Sequence, residues 1–309
     1  MQRLQITPGG SILAALVIFL LVTHAIRKSG HSVTLTGPED YKGEPRTDEW
    51  WVPLHQQLVQ EATNTSYDVI FYGDSITESF RGTMSGTTNE RLAGNLDIFS
   101  SMFNNKERVG KKIRGNAFGM AGDQTQHLLW RVYHGELSRA HPPSVAVLHI
   151  GTNNLGRARI QAEGEDEHIA IENAVPTVTK HVLFMLKSFH QMAPKTKILL
   201  VGLLPRGGGR GGRSGFEQPS IYTSAIEEIN QHFAEFASQD GRVGYVDCTE
   251  TFLTTTQQQQ KSDQGSSNGE NTVLIDKAKM PDGLHPEGKE GAKSMLECIA
   301  PAVDSLLFS

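Results

Sequence analysis

Short apolar runs recur along this chain with amphipathic stretches between them, and that alternation restricts its fold more than any other feature. Residues 69–72, 117–120, 145–150, 198–203 and 243–246 read as strands, with 273–275 a weaker sixth. Helical spacing marks residues 123–133, 169–192, 220–237 and 289–307. Upstream, Trp50, Trp51, Leu54, His55, Leu58 and Val59 recur at three- and four-residue steps. A strand that is apolar at nearly every position must be covered on both faces, and crossover helices of a parallel sheet supply that cover. The expectation is an α/β domain with a mostly parallel central sheet. Sites in open sheets of this kind gather beyond the C-terminal strand ends.

The chain of 309 residues is long enough for one large α/β domain or two small ones, and 38% hydrophobic with 20% charged residues suits a globular core. A net charge of -5 supplies no basic excess for nucleic acid or an anionic membrane surface. Cys248 and Cys298 are too few for a disulfide scaffold, and sequence alone leaves open whether they are bridged. Residues 11–26, SILAALVIFLLVTHAI, carry no acid and lie between Arg3 and Arg27-Lys28. They read as a membrane signal anchor or as the core of a cleaved signal peptide, within a segment of residues 1–30. That implies a membrane location, or the secretory pathway and exterior if the segment is removed. Residues 31–48 are polar, with Pro38, Gly43 and Pro45, and read as a linker to a domain over 49–309. Residues 206–215 and 254–272 are low in complexity and read as flexible insertions. Asn64-Thr65-Ser66 is an acceptor for N-glycosylation if the domain is lumenal.

Four blocks carry chemistry. Gly73-Asp74-Ser75-Ile76 closes the first apolar run, placing a serine at a strand tip where a following helix aims its amides. Such a serine is a nucleophile only beside a base and an oxyanion site. The elbow pattern Gly-x-Ser-x-Gly is not met, because Thr77 holds its last position. Gly122, in the turn after residues 118–120, lets the backbone approach a developing oxyanion. Asn153, after the run 145–150, offers a side-chain amide to the same oxygen. Asp282-Gly283-Leu284-His285-Pro286 spaces a carboxylate and an imidazole so that Asp282 accepts the Nδ1 proton and Nε2 faces the serine. Taken singly, the serine, Asn153 and Asp282–His285 blocks read more readily as a capped turn, a loop and a helix start, and the Gly122 turn suits either reading; their order makes them a set.

That set resembles the SGNH (GDSL-like) hydrolase superfamily. Residues 119–137, GMAGDQTQHLLWRVYHGEL, with 149–154, HIGTNN, and 201–206, VGLLPR, most resemble its platelet-activating-factor acetylhydrolase type Ib catalytic-subunit branch. The resemblance runs from Tyr67 to the C-terminus. It implies a three-layer α/β/α flavodoxin-like domain and a Ser75–His285–Asp282 triad. It also implies an oxyanion hole from the amides of Ser75 and Gly122 and the side chain of Asn153. The activity it implies is hydrolysis of short acyl esters, acetyl included, of a lipid or carbohydrate, through an acyl-serine without metal or organic cofactor. Relatives pair as dimers, though nothing in this chain forces a homodimer. Asn154 departs from the aspartate of most of the superfamily and agrees with the acetylhydrolase branch.

Rival readings are an acyltransferase to a sugar hydroxyl, which keeps the chemistry, and an inactive membrane-tethered binding module. The intact set Ser75, Asp282 and His285 argues against the second. Gly207 to Gly212 formally match Gly-x-Gly-x-x-Gly, but Pro205 and Arg206 part them from the strand and Pro219 delays the helix. Arg206, Arg210 and Arg213 without interleaved aromatics make a poor RNA footprint, and read as part of a loop at the site's rim. No His-Glu-x-x-His or Cys-His cluster suggests a metal.

Overall fold

The computed structural model describes residues 41–108, 110–162, 166–209, 215–258 and 270–309. The apolar segment 11–26, residues 31–40 of the linker, and the loop centres at 210–214 and 259–269 lie outside the described residues. Among the described residues no helix is long and apolar enough to cross a membrane.

In chain order the main elements begin with α1 (Trp51–Asn64), β1 (Val69–Gly73), α2 (Ser75–Ser79), α3 (Asn95–Phe103), β2 (Asn104–Arg108) and β3 (Lys111–Gly119). Next come α4 (Thr125–Arg131), β4 (Val145–His149), α5 (Thr152–Gln161), α6 (Glu167–Glu172), α7 (Val175–Met192) and β5 (Lys197–Val201). The chain closes with α8 (Thr223–Gln239), β6 (Val243–Val246), β7 (Leu253–Gln258), β8 (Glu270–Ile275) and α9 (Gly288–Phe308). The central sheet runs β2-β3-β1-β4-β5-β6. Five of its strands are parallel, and β2 pairs antiparallel with β3 at the edge.

Period-two alternation divides the apolar strands between two layers of helices. Val69 and Phe71 of β1, Val145 and Val147 of β4, and Leu199 and Val201 of β5 share a core with Phe99 and Phe103 of α3 and Met295, Leu296, Ile299 and Val303 of α9. On the opposite face Tyr72 meets Phe189 of α7 edge-on, with ring centroids 5.5 Å apart. All five residues of β1 and of β4 are buried, which explains why both read as unbroken apolar runs.

Several expectations shift. The helix read over 169–192 is two, α6 and α7, and Pro176 falls in the first turn of α7, where a missing amide costs nothing. The helix read from 123 begins at Thr125, and ends in a wide turn over Val132–Glu136 where Gly135 takes φ +114°. The sixth strand joins a separate three-stranded antiparallel sheet, pairing with β7. Residues 254–258 and 270–272, expected in a flexible insertion, are therefore paired strand, in keeping with the β-branched Thr254-Thr255-Thr256. Cys248 and Cys298 are bonded, tying the loop after β6 to α9.

Candidate functional site

Strand register gathers the sequence blocks on one edge of the sheet. Gly73 at the end of β1 pairs with Gly119 of β3 on one side and His149 of β4 on the other. Ser75, Gly122 and Asn153 follow these three partners within a few residues, so the turns that carry them leave the sheet at the same level.

Ser75 is the first residue of α2, and the Asp74 side chain caps that helix by accepting the Ile76 amide at 3.0 Å. The first amides of a helix have no intrahelical acceptor, so the Ser75 N–H is available to a ligand oxygen. Ser75 Oγ lies 2.9 Å from His285 Nε2. His285 Nδ1 lies 2.7 Å from Asp282 Oδ2, and Asp282 Oδ1 accepts the amides of Leu284 at 2.9 Å and His285 at 2.8 Å. Partial burial pushes the Asp282 carboxyl up, but the hydrogen bond and charge of His285 and the two amides outweigh it and hold the group at about 2. Asp74 is fully buried, and that burial pushes its carboxyl up to about 6 against the Ile76 amide and the nearby His285.

The turn holding Gly122 is fixed from both ends. Met120 N donates to Gly73 O at 3.2 Å and Asp123 N to Met120 O at 3.1 Å. The Ala121 amide donates to the buried Glu78 carboxylate at 2.7 Å, while Arg46 donates to the Ala121 carbonyl at 2.6 Å. Gly122 sits at φ +78°, where a side chain is strained, and a Cβ there would come within 3.1 Å of Arg46 Nη1. Its own amide has no acceptor among the described residues. Asn153 donates one Nδ2 hydrogen to the Asp123 carbonyl at 3.0 Å, leaving the other for a ligand. Gly122 and Asn153 line one cavity of about 610 Å³, together with Arg46, Arg157 and Arg206 among others.

Asn154 locks this region by accepting the Thr125 amide at 3.0 Å. Beneath the turn, Arg131 is wholly buried and ion-paired to Asp123 at 2.8 Å and Glu136 at 2.7 Å. It also donates to the carbonyls of Gly73 at 2.7 Å and Phe118 at 3.2 Å. Trp51 Nε1 donates to Asp123 at 2.8 Å, so α1 reaches the same carboxylate.

The structure thus brings Ser75, His285 and Asp282 into one hydrogen-bonded chain and sets Gly122 and Asn153 in one cavity. Arg46, Glu78 and Arg131 are site residues that the sequence reading does not pick out, and Arg206 is one that it places only in a loop at the rim. Arg131 had a signal, a charge set within the apolar run Leu128-Leu129-Trp130-Arg131-Val132. Arg46 had none, since residues 41–48 read as linker yet lie against the domain through Arg46 and the bond from Glu44 N to Gln126 O at 3.2 Å. Arg206 was assigned to the mobile insertion; its guanidinium instead donates to Thr152 O at 2.6 Å and lies 4.6 Å from the Tyr222 ring centre. Asp282, His285 and Glu287 are the one group with metal-ligand spacing among the described residues. Both His285 nitrogens are engaged as above, and Glu287 accepts two hydrogen bonds from Arg91, at 2.6 and 2.8 Å, so these donors fit a proton relay better than a metal.

This fold and these blocks define a class: the chain belongs to the GDSL-like lipase/acylhydrolase family, whose model matches residues 71–289. Among curated proteins it is similar to the human platelet-activating factor acetylhydrolase IB subunit alpha1, 27% identical over 172 residues, covering 56% of this chain and 57% of that protein. The rat alpha2 subunit is 28% identical over 193 residues, 62% of each chain. The chain therefore spans less than two thirds of the length of the curated relatives it matches. A solved structure described as a candidate platelet activating factor from Streptococcus pneumonia superposes with a TM-score of 0.52 at 17% identity, covering 94% of this chain and 99% of that one, a likeness of fold.

Proposed function

We propose that this chain is a serine esterase that removes short acyl groups, acetyl above all, from a lipid or carbohydrate ester. The observation that carries the reading is the continuous hydrogen-bonded path from Ser75 Oγ through His285 to Asp282, at 2.9 and 2.7 Å. His285 Nε2 takes the Ser75 proton as Oγ bonds to the ester carbon, and the carbonyl electron pair moves onto its oxygen. The amides of Ser75 and Gly122 and the free Nδ2 hydrogen of Asn153 are the donors for that oxyanion. Collapse breaks the bond to the alcohol, which leaves with the proton from His285. Water then gives a proton to His285 and attacks the acyl-serine, and the acid departs as Ser75 regains its hydrogen. Asp282 holds the Nδ1–H tautomer throughout.

The strand order supports the finer reading of a three-layer flavodoxin-like domain. Without edge strand β2 it runs β3-β1-β4-β5-β6, the 2-1-3-4-5 arrangement of that fold. The bonded pair Cys248–Cys298 and the apolar residues 11–26 support a membrane-anchored or secreted location. A glycan at the exposed Asn64 tests it: glycosidase treatment of protein from its own cells should increase its mobility, and an unmodified Asn64 peptide counts against that location.

The direct test is release of 4-nitrophenol from its acetate ester by the full chain. Ser75→Ala should abolish turnover, and Asn153→Ala should lower kcat by about 10²–10³. Undiminished turnover by folded Ser75→Ala protein overturns the assignment.

A further inference from the structure

The cavity beside Gly122 and Asn153 has a charge that the hydrolysis itself does not require. Three guanidinium groups line it, from Arg46, Arg157 and Arg206, against the single carboxylate of Asp48. Arg46 is already paired, donating to Asp48 at 2.9 Å. Arg157 is exposed and has no carboxylate partner among the described residues. Arg206 is the more informative. Its guanidinium donates to the carbonyl and hydroxyl of Thr152 at 2.6 and 3.1 Å and stacks on Tyr222; the buried Asp74 carboxylate attracts it through space, but no carboxylate among the described residues forms an ion pair with it. Burial accordingly pulls this group below the usual arginine range. A largely desolvated cation with no directly paired carboxylate is costly to keep, and one held beside a cavity favours an anion there.

Gly156 of α5 makes this placement feasible. A Cβ at that position would stand 2.5 Å from Arg206 Nη2, so the guanidinium occupies the space a side chain would fill. The remaining lining is mostly polar, with Gln124, Gln126, His127 and Gln161 beside the single large apolar side chain of Ile160, so it offers little to an alkyl chain. His127 adds no positive charge of its own at neutral pH, because burial pushes its imidazole down to about 4, so the arginines carry the cavity's positive charge.

Resting on the esterase reading, we propose that the substrate carries an anionic group close to its scissile ester, bound between Arg157 and Arg206. Carboxylate and phosphate oxyanions both suit paired guanidinium donors. An acylated acidic sugar and an acylated phosphate-bearing glycerol present that chemistry equally. The acyl carbonyl then sits at the Ser75 and Gly122 amides while the charge lies across the cavity.

Matched pairs test this. Acetate release by the full chain is compared for acetylated glucuronate against acetylated glucose, and for acetylated glycerol phosphate against acetylglycerol. The anionic member of at least one pair should have a kcat/KM about tenfold or more above its neutral twin, and whichever pair shows it names the source of the anion. Arg157→Gln, a surface change, should bring that ratio to within about threefold, as should 0.5 M salt. Equal rates within both pairs, or a ratio unmoved by Arg157→Gln, overturn the proposal while leaving the esterase standing. A second readout needs no turnover: calorimetric titration of Ser75→Ala protein with glucuronate and with inorganic phosphate. Binding of either anion that weakens about tenfold in the Ser75→Ala/Arg157→Gln double variant supports the site even if no ester is cleaved, in which case the failure belongs to the esterase reading. Absence of binding to both anions counts against the site.

Discussion

Replacing Asp282 with asparagine separates the shape of the relay from its electrostatics. Oδ1 of Asp282 accepts two backbone amides, at 2.9 and 2.8 Å, and an asparagine oxygen can keep both. Oδ2 lies 2.7 Å from His285 Nδ1, and there the substitution puts an NH₂ donor against a ring nitrogen that must itself be a donor. The imidazole resolves that clash by moving its proton to Nε2, which faces Ser75 Oγ at 2.9 Å and can then no longer take the serine proton. Because Asp282 is held down at about 2, the wild-type carboxylate is ionised throughout a neutral assay, and the variant loses a full charge. Loss of tautomer control in a comparable triad lowers kcat by about 10⁴, or about 5.5 kcal/mol of barrier. The assay is hydrolysis of 4-nitrophenyl acetate at pH 7, with kcat and KM separated and the fold checked by circular dichroism. Asp282→Asn should lower kcat by that order with KM little changed. A folded variant whose kcat stays within tenfold of wild type, or whose loss lies in KM alone, refutes the role given to this carboxylate.

Two further perturbations probe what holds the site in place. Arg131→Met strands the buried carboxylates of Asp123 and Glu136 and two carbonyl acceptors, so stability in urea should fall by about 3–5 kcal/mol; a loss under 1 kcal/mol contradicts the ion network. His149, fully buried, is pushed down to about 4 in the folded chain from an ordinary value of 6.5, so the unfolded state gains the proton first on acidification. Its contribution is intact above pH 6.5 and is lost as pH falls toward 4. Between pH 7 and 4.5 wild type should lose about 2.4 kcal/mol more than His149→Leu. Burial also pushes Asp74 up to about 6, but its opposing proton uptake is common to both proteins. Equal losses in the two proteins would show that His149 is not held neutral.

The sheet was legible because burial on both faces leaves a plain mark: β1 and β4 are apolar at nearly every position and end in Gly-Asp-Ser and Gly-Thr-Asn. The relay was legible because Asp282 and His285 are three residues apart across one turn, a local arrangement that sequence spacing displays. Tertiary partners leave no such mark. Arg46 reaches Ala121 across 75 positions, and the glycine-rich context of Arg206 suggested mobility, whereas Thr152, Tyr222 and the hollow at Gly156 hold it. The break between α6 and α7 was also obscured, because apolar periodicity continues through it and Pro176 is as well suited to a first turn as to a kink. The pairing of β7 with β8 was hidden by the low complexity of the residues between them.

The most direct measurement is the site of covalent capture. A fluorophosphonate probe forms a stable adduct only with a serine whose hydroxyl is activated by a neighbouring base. Incubation of the full chain with the probe, followed by peptide mass spectrometry, should find the adduct on Ser75, and His285→Ala should suppress it. Modification of a different serine, or a Ser75 that stays unmodified in folded protein, contradicts the account.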